Sequence, residues 1–131
     1  MTGKSGRTLL EHLGFELAGE WILQEGRPKI RYLSSRLRAS QKVLYAFVSD
    51  NEVLYLGKTV NRLDLRLNGY VHPGPKQKTN QHVHALLKET LPKKPVHILA
   101  LPGEGKIEYR GVPVNLAAGL EDELIARINP P

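Results

Sequence analysis

The sequence contains no cysteine, which excludes disulfides, cysteine-ligated zinc, iron–sulfur clusters and thiol nucleophiles together. Any nucleophile the chain uses is oxygen, nitrogen or water. No run reaches the roughly 18 apolar residues that a membrane-spanning helix needs. The start, "MTGKSGRTLLEHLGFELAGEW", lacks the continuous apolar stretch of a secretory signal, so a cytoplasmic address is expected. Internal repeats and low-complexity tracts are also missing. What remains is a chain of 131 residues, 40% hydrophobic and 24% charged, the size and composition of one folded domain.

The charge is less ordinary. A formal net charge of +6 and a pI near 9.7 favour polyanionic partners, because clustered Lys and Arg release counterions when they bind phosphates. Basic residues from Arg27 through Arg38, then Lys42, Lys58, Arg62, Arg66, Lys76 and Lys78, load the middle of the chain. Glu11, Glu16, Glu20 and Glu25 lie before them and Glu121, Asp122 and Glu123 after. A basic central surface follows.

Along the chain, "RTLLEHLG" reads as a short helix stopped by Gly14, and "EWILQEGRPKIRYL" as a hairpin turned at Gly26 and Pro28. "SSRLRASQ" has no apolar face and reads as a linker or exposed helix. These segments form an N-terminal extension, 1–40, ahead of a domain at 41–131. There "KVLYAFV" and "EVLYLG" flank "SDN", a strong β-hairpin signal. Asn61 is placed to cap a helix over "RLDLRLNGY", with Arg62 and Arg66 four apart beside an apolar stripe. A Pro- and Gly-bearing loop precedes a second helix that Asn80 opens and Pro92 closes. "PVHILAL" reads as a third, more buried strand. "PGEGKIEYRGVP" is a polar excursion or small hairpin. The final helix carries Leu116, Leu120, Leu124 and Ile128 on one stripe and stops at Asn129-Pro130. The expected fold class is α/β (α+β), a small central sheet of about three strands flanked by helices.

Two motifs fail on inspection. "GKT" at Gly57–Thr59 lacks the upstream glycine of a phosphate-binding loop, since Glu52 stands there with bulky residues between. His82 and His84 are two apart on a helix and face different ways, which argues against a zinc pair.

The joint pattern is more specific. "VLY" at Val43–Tyr45, "YLG" at Tyr55–Gly57, the following "KTVNRLDLRLNGY" and the terminal "GLEDELIARINPP" together resemble the GIY-YIG nuclease superfamily over roughly residues 42 to 131. The spellings differ at Val43, Leu44 and Leu56, all conservative for strands. The resemblance implies that Tyr45 and Tyr55 are active-site phenols, that Arg66 contacts the transition state, and that Tyr70 occupies the Tyr or His position one turn later. It makes Glu121 the sole carboxylate ligand of magnesium, or manganese.

Phosphodiester hydrolysis needs an activated water, positive charge on the non-bridging oxygens and a stabilised leaving oxygen. One carboxylate suits a magnesium ion that keeps most of its water, and Arg66 offers a fork-shaped permanent charge. Positive neighbours at Arg66 and Lys58 would favour the Tyr45 phenolate as general base. Singly, each residue has an ordinary reading: strands favour tyrosine, a helix arginine is usually solvated, and Glu121 sits in an acidic run. Lys58, Arg62, Lys76, Lys78 and Asn80 are the expected DNA contacts. The implied function is a magnesium-dependent DNA endonuclease, with RNA the weaker substrate and a non-catalytic DNA-binding module the alternative. The family's asparagine after the proline turn has no counterpart before Pro131, so weakened activity is expected.

Overall fold

A computed structural model of the chain describes residues 6–102 and 107–131, with Ile107 in its backbone alone. α1 (Gly6–His12) leads into β1 (Glu16–Gln24) and β2 (Arg27–Tyr32), followed by α2 (Ser35–Ala39), β3 (Val43–Ser49) and β4 (Glu52–Thr59). α3 (Leu63–Val71) and α4 (Lys78–Thr90) follow, then β5 (Val96–Pro102), the short pair β6 (Ile107–Tyr109) and β7 (Val112–Val114), and α5 (Leu116–Ile128).

The main sheet has five strands in the order β2-β1-β5-β3-β4, not about three, and every pairing in it is antiparallel. The two extra strands are the hairpin at residues 16–32. Its turn, Glu25-Gly26, has positive φ at both positions, 54° and 75°, the backbone twist that suits a two-residue hairpin loop. What the sequence pattern alone did not carry is the pairing of β1 with β5, Trp21 opposite Val96. That join makes β5 and β3 interior strands, so β3 is buried at every position, and leaves β2 and β4 as the two edges.

Each face of the sheet has its own core. Alternate residues of β3 point opposite ways. Val43, Tyr45 and Phe47 face Trp21, Leu63, Leu67, Tyr70, Val83 and Leu87, beneath α3 and α4. Leu44, Ala46 and Val48 face Leu10, Phe15, Leu124 and Ile128, beneath α1 and α5. Each such large side chain, fully removed from water, contributes about 1.5–3 kcal/mol.

Local expectations fail where burial intervenes. Residues 34–41 do bury an apolar group: Leu37 of α2 is 1% exposed, and Ser34 caps this helix by accepting from the Leu37 amide at 3.2 Å. Asn61 does not cap α3; Arg62 holds that position without a side-chain bond. α4 begins at Lys78 after Gln77, so Asn80 lies inside it. α5 is capped by Asn115, whose Oδ1 accepts from Ala117 and Ala118, and ends at Asn129 in the left-handed conformation. Of its expected stripe, Leu124 and Ile128 are buried while Leu116 and Leu120 are half-buried. The polar excursion contains the β6–β7 hairpin; residues 103–106 lie outside the described residues.

Candidate active site

Antiparallel register sets Tyr45 opposite Gly57 and Phe47 opposite Tyr55, so both strand tyrosines share the face under α3. Tyr70, one turn beyond Arg66 on α3, rises to meet them. Its hydroxyl lies 2.6 Å from that of Tyr45 and 3.4 Å from that of Tyr55. Gly57 makes this possible. A Cβ there would stand 2.7 Å from the Tyr45 hydroxyl and 3.0 Å from Tyr55 Cε2, closer than carbon and oxygen tolerate. The small residue thus lets the Tyr45 phenol lie across β4, a free-edge strand.

Arg66 covers this cluster. Its guanidinium carbon lies 4.4 Å from the centroid of the Tyr70 ring, a cation–π contact. Its Nη2 donates to Asn80 Oδ1 at 3.1 Å. Asn80 Nδ2 donates in turn to Gln77 Oε1 at 3.0 Å, which also accepts from the Gly74 amide at 2.8 Å. A chain of polar contacts from the α3–α4 loop therefore fixes the guanidinium plane. This is the role in which the structure places Asn80, expected as a DNA contact: it is buried, and its carbonyl is taken by Arg66.

Electrostatics run against one expectation. Burial pushes the Tyr45 phenol up to about 12, outweighing the Tyr70 hydrogen bond and the Arg66 charge that pull it down. Tyr70 is pushed up further, by burial first and by Tyr45 and Tyr55 beside it. Tyr70 therefore keeps its proton the more firmly, and in its 2.6 Å contact with Tyr45 either hydroxyl can be the donor. Burial thus favours the neutral form of Tyr45 and Tyr70, rather than the Tyr45 phenolate that the nearby positive charges suggested.

Glu121 lies on the other face. Lys58 pairs with Leu44 in register, which turns it toward α5, and its Nζ lies 3.5 Å from Glu121 Oε1. The Glu121 side chain is 17% exposed and that of Lys58 49%, whereas Asp122 and Glu123 are exposed. Glu121 is thus the one member of its acidic run held against the sheet. The phenols and Arg66 meet Gly57 from one side of β4, and the Glu121–Lys58 pair meets the next residue from the other. The remaining expected contacts spread out. Arg62 Nη2 is bound to Asp64 at 2.9 Å, while Lys76 and Lys78 are exposed around the start of α4.

No protein-family model and no curated protein matches the chain by sequence. Its structure is similar to that of a mutant of EndoII from bacteriophage T4, with TM-score 0.72 and 21% identity over 97% of both chains. The chain has a nuclease fold. The restriction endonuclease HPY188I in complex with product DNA is also similar, with TM-score 0.57 and 14% identity over 92% of this chain and 79% of that one. The sequence pattern singled out the phenols, Arg66 and Glu121, of which the structure brings Tyr45, Tyr55, Tyr70 and Arg66 together, but it did not carry three relationships: Gly57 as the opening for Tyr45, Asn80 as the anchor of Arg66, and Lys58 as the partner of Glu121. Only the YxG spacing hinted at the first. Arg66 and Asn80 are 14 residues apart, and nothing in their local pattern joins them.

Proposed function

We propose that the chain is a DNA endonuclease of the GIY-YIG type that hydrolyses phosphodiester bonds. The nuclease fold supports it, but the observation that carries it is the meeting of three phenols, a fixed guanidinium and a shielded carboxylate on the two sides of Gly57–Lys58. In this reading Arg66 binds the non-bridging oxygens of the scissile phosphate. One of its five N–H donors already holds Asn80, so the fork enters the complex with its plane set, and little ordering remains to be done. Tyr55, only half-buried, and Tyr70 orient the attacking water. Tyr45 takes its proton. Because Tyr45 is neutral at rest, hydrolysis should quicken as pH rises from 7 to 9, by up to about tenfold per unit.

The donor set at Glu121 fits a divalent cation of the magnesium or manganese type: one shielded carboxylate, with hydration water completing the shell. Lys58, with Nζ 3.5 Å from Glu121 Oε1, is the cation that faces this carboxylate from the protein itself. When bound there, the divalent ion supplies positive charge to the phosphate oxygens. Lys58 stands on the free-edge strand β4 with its side chain 49% exposed, where it would also meet the DNA backbone.

The test is nicking of supercoiled plasmid with magnesium by wild type, Glu121→Gln, Arg66→Ala and Tyr45→Phe. We expect losses of about 10²–10³ for the first two variants, in line with removal of a transition-state charge partner, with DNA binding retained by Glu121→Gln. Undiminished nicking by Glu121→Gln overturns the assignment. A wild-type gel shift without nicking under any divalent ion favours the DNA-binding module instead.

A further inference from the structure

On the face that carries the phenols, a second feature lies beyond α3. Arg27 and Lys29 of β2, His72 just past α3, and His84 and Lys88 of α4 line one cleft of about 350 Å³, and no carboxylate is among its lining residues. Arg7, Arg31, Arg36, Arg38, Lys58 and Lys94 each have a carboxylate within 4 Å. Among the described residues none of the five cleft side chains enters such a pair. Among the described residues Lys42, Lys76, Lys78, Lys93, Arg110 and Arg127 also stand without a carboxylate within 4 Å, so what distinguishes the cleft is that five basic side chains share one lining. Like charges gathered in one cleft repel each other, and an anion among them relieves that repulsion.

His84 is prepared for this. Its Nδ1 lies 2.8 Å from the Tyr70 carbonyl. A carbonyl only accepts, so Nδ1 carries a proton, and the second ring nitrogen donates to a phosphate oxygen only when the ring is the doubly protonated imidazolium. Lys29 and His84 are half-buried while Arg27, His72 and Lys88 are exposed, giving a floor and a rim. The residue whose hydroxyl lies against that of Tyr45 also offers its carbonyl to His84, so the cleft and the candidate active site share Tyr70.

We propose that this cleft holds a phosphate group of a nucleic-acid strand, at a position separate from the bond being cut. The inference rests on the DNA reading above for the source of the phosphate, and on the cleft alone for its chemistry. A strand engaged at β4 then runs along α3 toward β2, the opposite edge of the sheet. With about 4.8 Å between neighbouring strands, the edges of this five-stranded sheet stand roughly 19 Å apart.

Two measurements on the full chain test it. Inorganic phosphate, titrated at constant pH and ionic strength, should shift the imidazole NMR signals of His72 and His84 and leave those of His12 and His82 in place. In DNA binding followed against salt, Arg27→Ala with Lys88→Ala should weaken affinity equally across sequences. It should also reduce the slope of log K against log[salt] by about 0.9, one phosphate contact. Lys93→Ala, outside the cleft, is the control and should change little. Unmoved imidazoles together with an unchanged salt slope overturn the proposal while leaving the nuclease reading intact. Shifted imidazoles with an unchanged slope overturn the strand as the source and leave a free-phosphate site. A wild type that binds phosphate but no DNA sinks the DNA reading and, with it, the strand assignment.

Discussion

Gly57 decides how close a phenol can come to the edge of β4. Gly57→Ala puts a methyl group 2.7 Å from the Tyr45 hydroxyl, so either the phenol or the strand must move. We expect a loss of about 1–3 kcal/mol in denaturant unfolding, as for overpacked sites generally, and a fall in nicking larger than that loss explains. Equal activity per folded molecule would show that Tyr45 need not lie where it does. Tyr45 also makes stability depend on pH. Its folded value, about 12, exceeds the ordinary 10, so the folded state holds this proton more tightly. The stabilisation is fully present below pH 10 and is lost as pH climbs to 12, on the order of 2–3 kcal/mol. Tyr32, raised to about 12 mainly by burial, acts in the same window. Unfolding curves measured at pH 9 to 12 should fall less steeply with pH for Tyr45→Phe than for wild type. Trp21 adds a fixed cost at this scale, since its buried Nε1 has no hydrogen-bond partner among the described residues. Its ring packs edge-on against Phe47 at 5.3 Å.

Element boundaries show which local signals compete successfully with packing. The turn residues Glu25-Gly26 and Asp50 took the positive φ that their hairpins need, and Asn115 capped α5, because turns and caps are settled within a few residues. Asn61 and Asn80 have the same chemistry as Asn115 yet cap nothing. α3 and α4 pack together, and that contact turns Asn80 inward to Arg66 at 3.1 Å. Asn80→Ala therefore removes the anchor of the guanidinium rather than a helix cap. We expect kcat to fall by roughly tenfold or more while KM changes little, as when misplacement affects the transition state and not ground-state binding. A pure rise in KM, with unchanged kcat, would return Asn80 to the role of a DNA contact. Asp64 is tied similarly across elements. Burial raises its pKa, but hydrogen bonds and charge from Arg62, with help from Arg38, leave it lowered, so its contribution fades as pH falls through the acid range.

At the scale of the molecule, the main sheet runs across residue 40, the point that divides extension from domain in the sequence. β1 shields β5, and Trp21 completes the core over Phe47. A fragment of residues 41–131 would expose β5 as an apolar edge and lose that indole, so we expect it to aggregate or to lack a cooperative thermal transition. A soluble, cooperatively folding fragment would show that the extension is dispensable to the fold. Among the described residues no helix is long and apolar enough to cross a membrane. The hydrophobic alternation, hairpin turns and order of helices were legible in the chain because they depend on neighbours a few residues apart. The joint spacing also singled out the tyrosines and Arg66 that the structure brings into contact. The two-sided site around Gly57, the neutrality of Tyr45, the Arg66–Asn80 bond and the cleft from β2 to α4 were decided only by tertiary structure. Each depends on burial or on charges brought together from distant segments, and neither the dielectric around a group nor its partners across the core can be read from its own stretch of sequence.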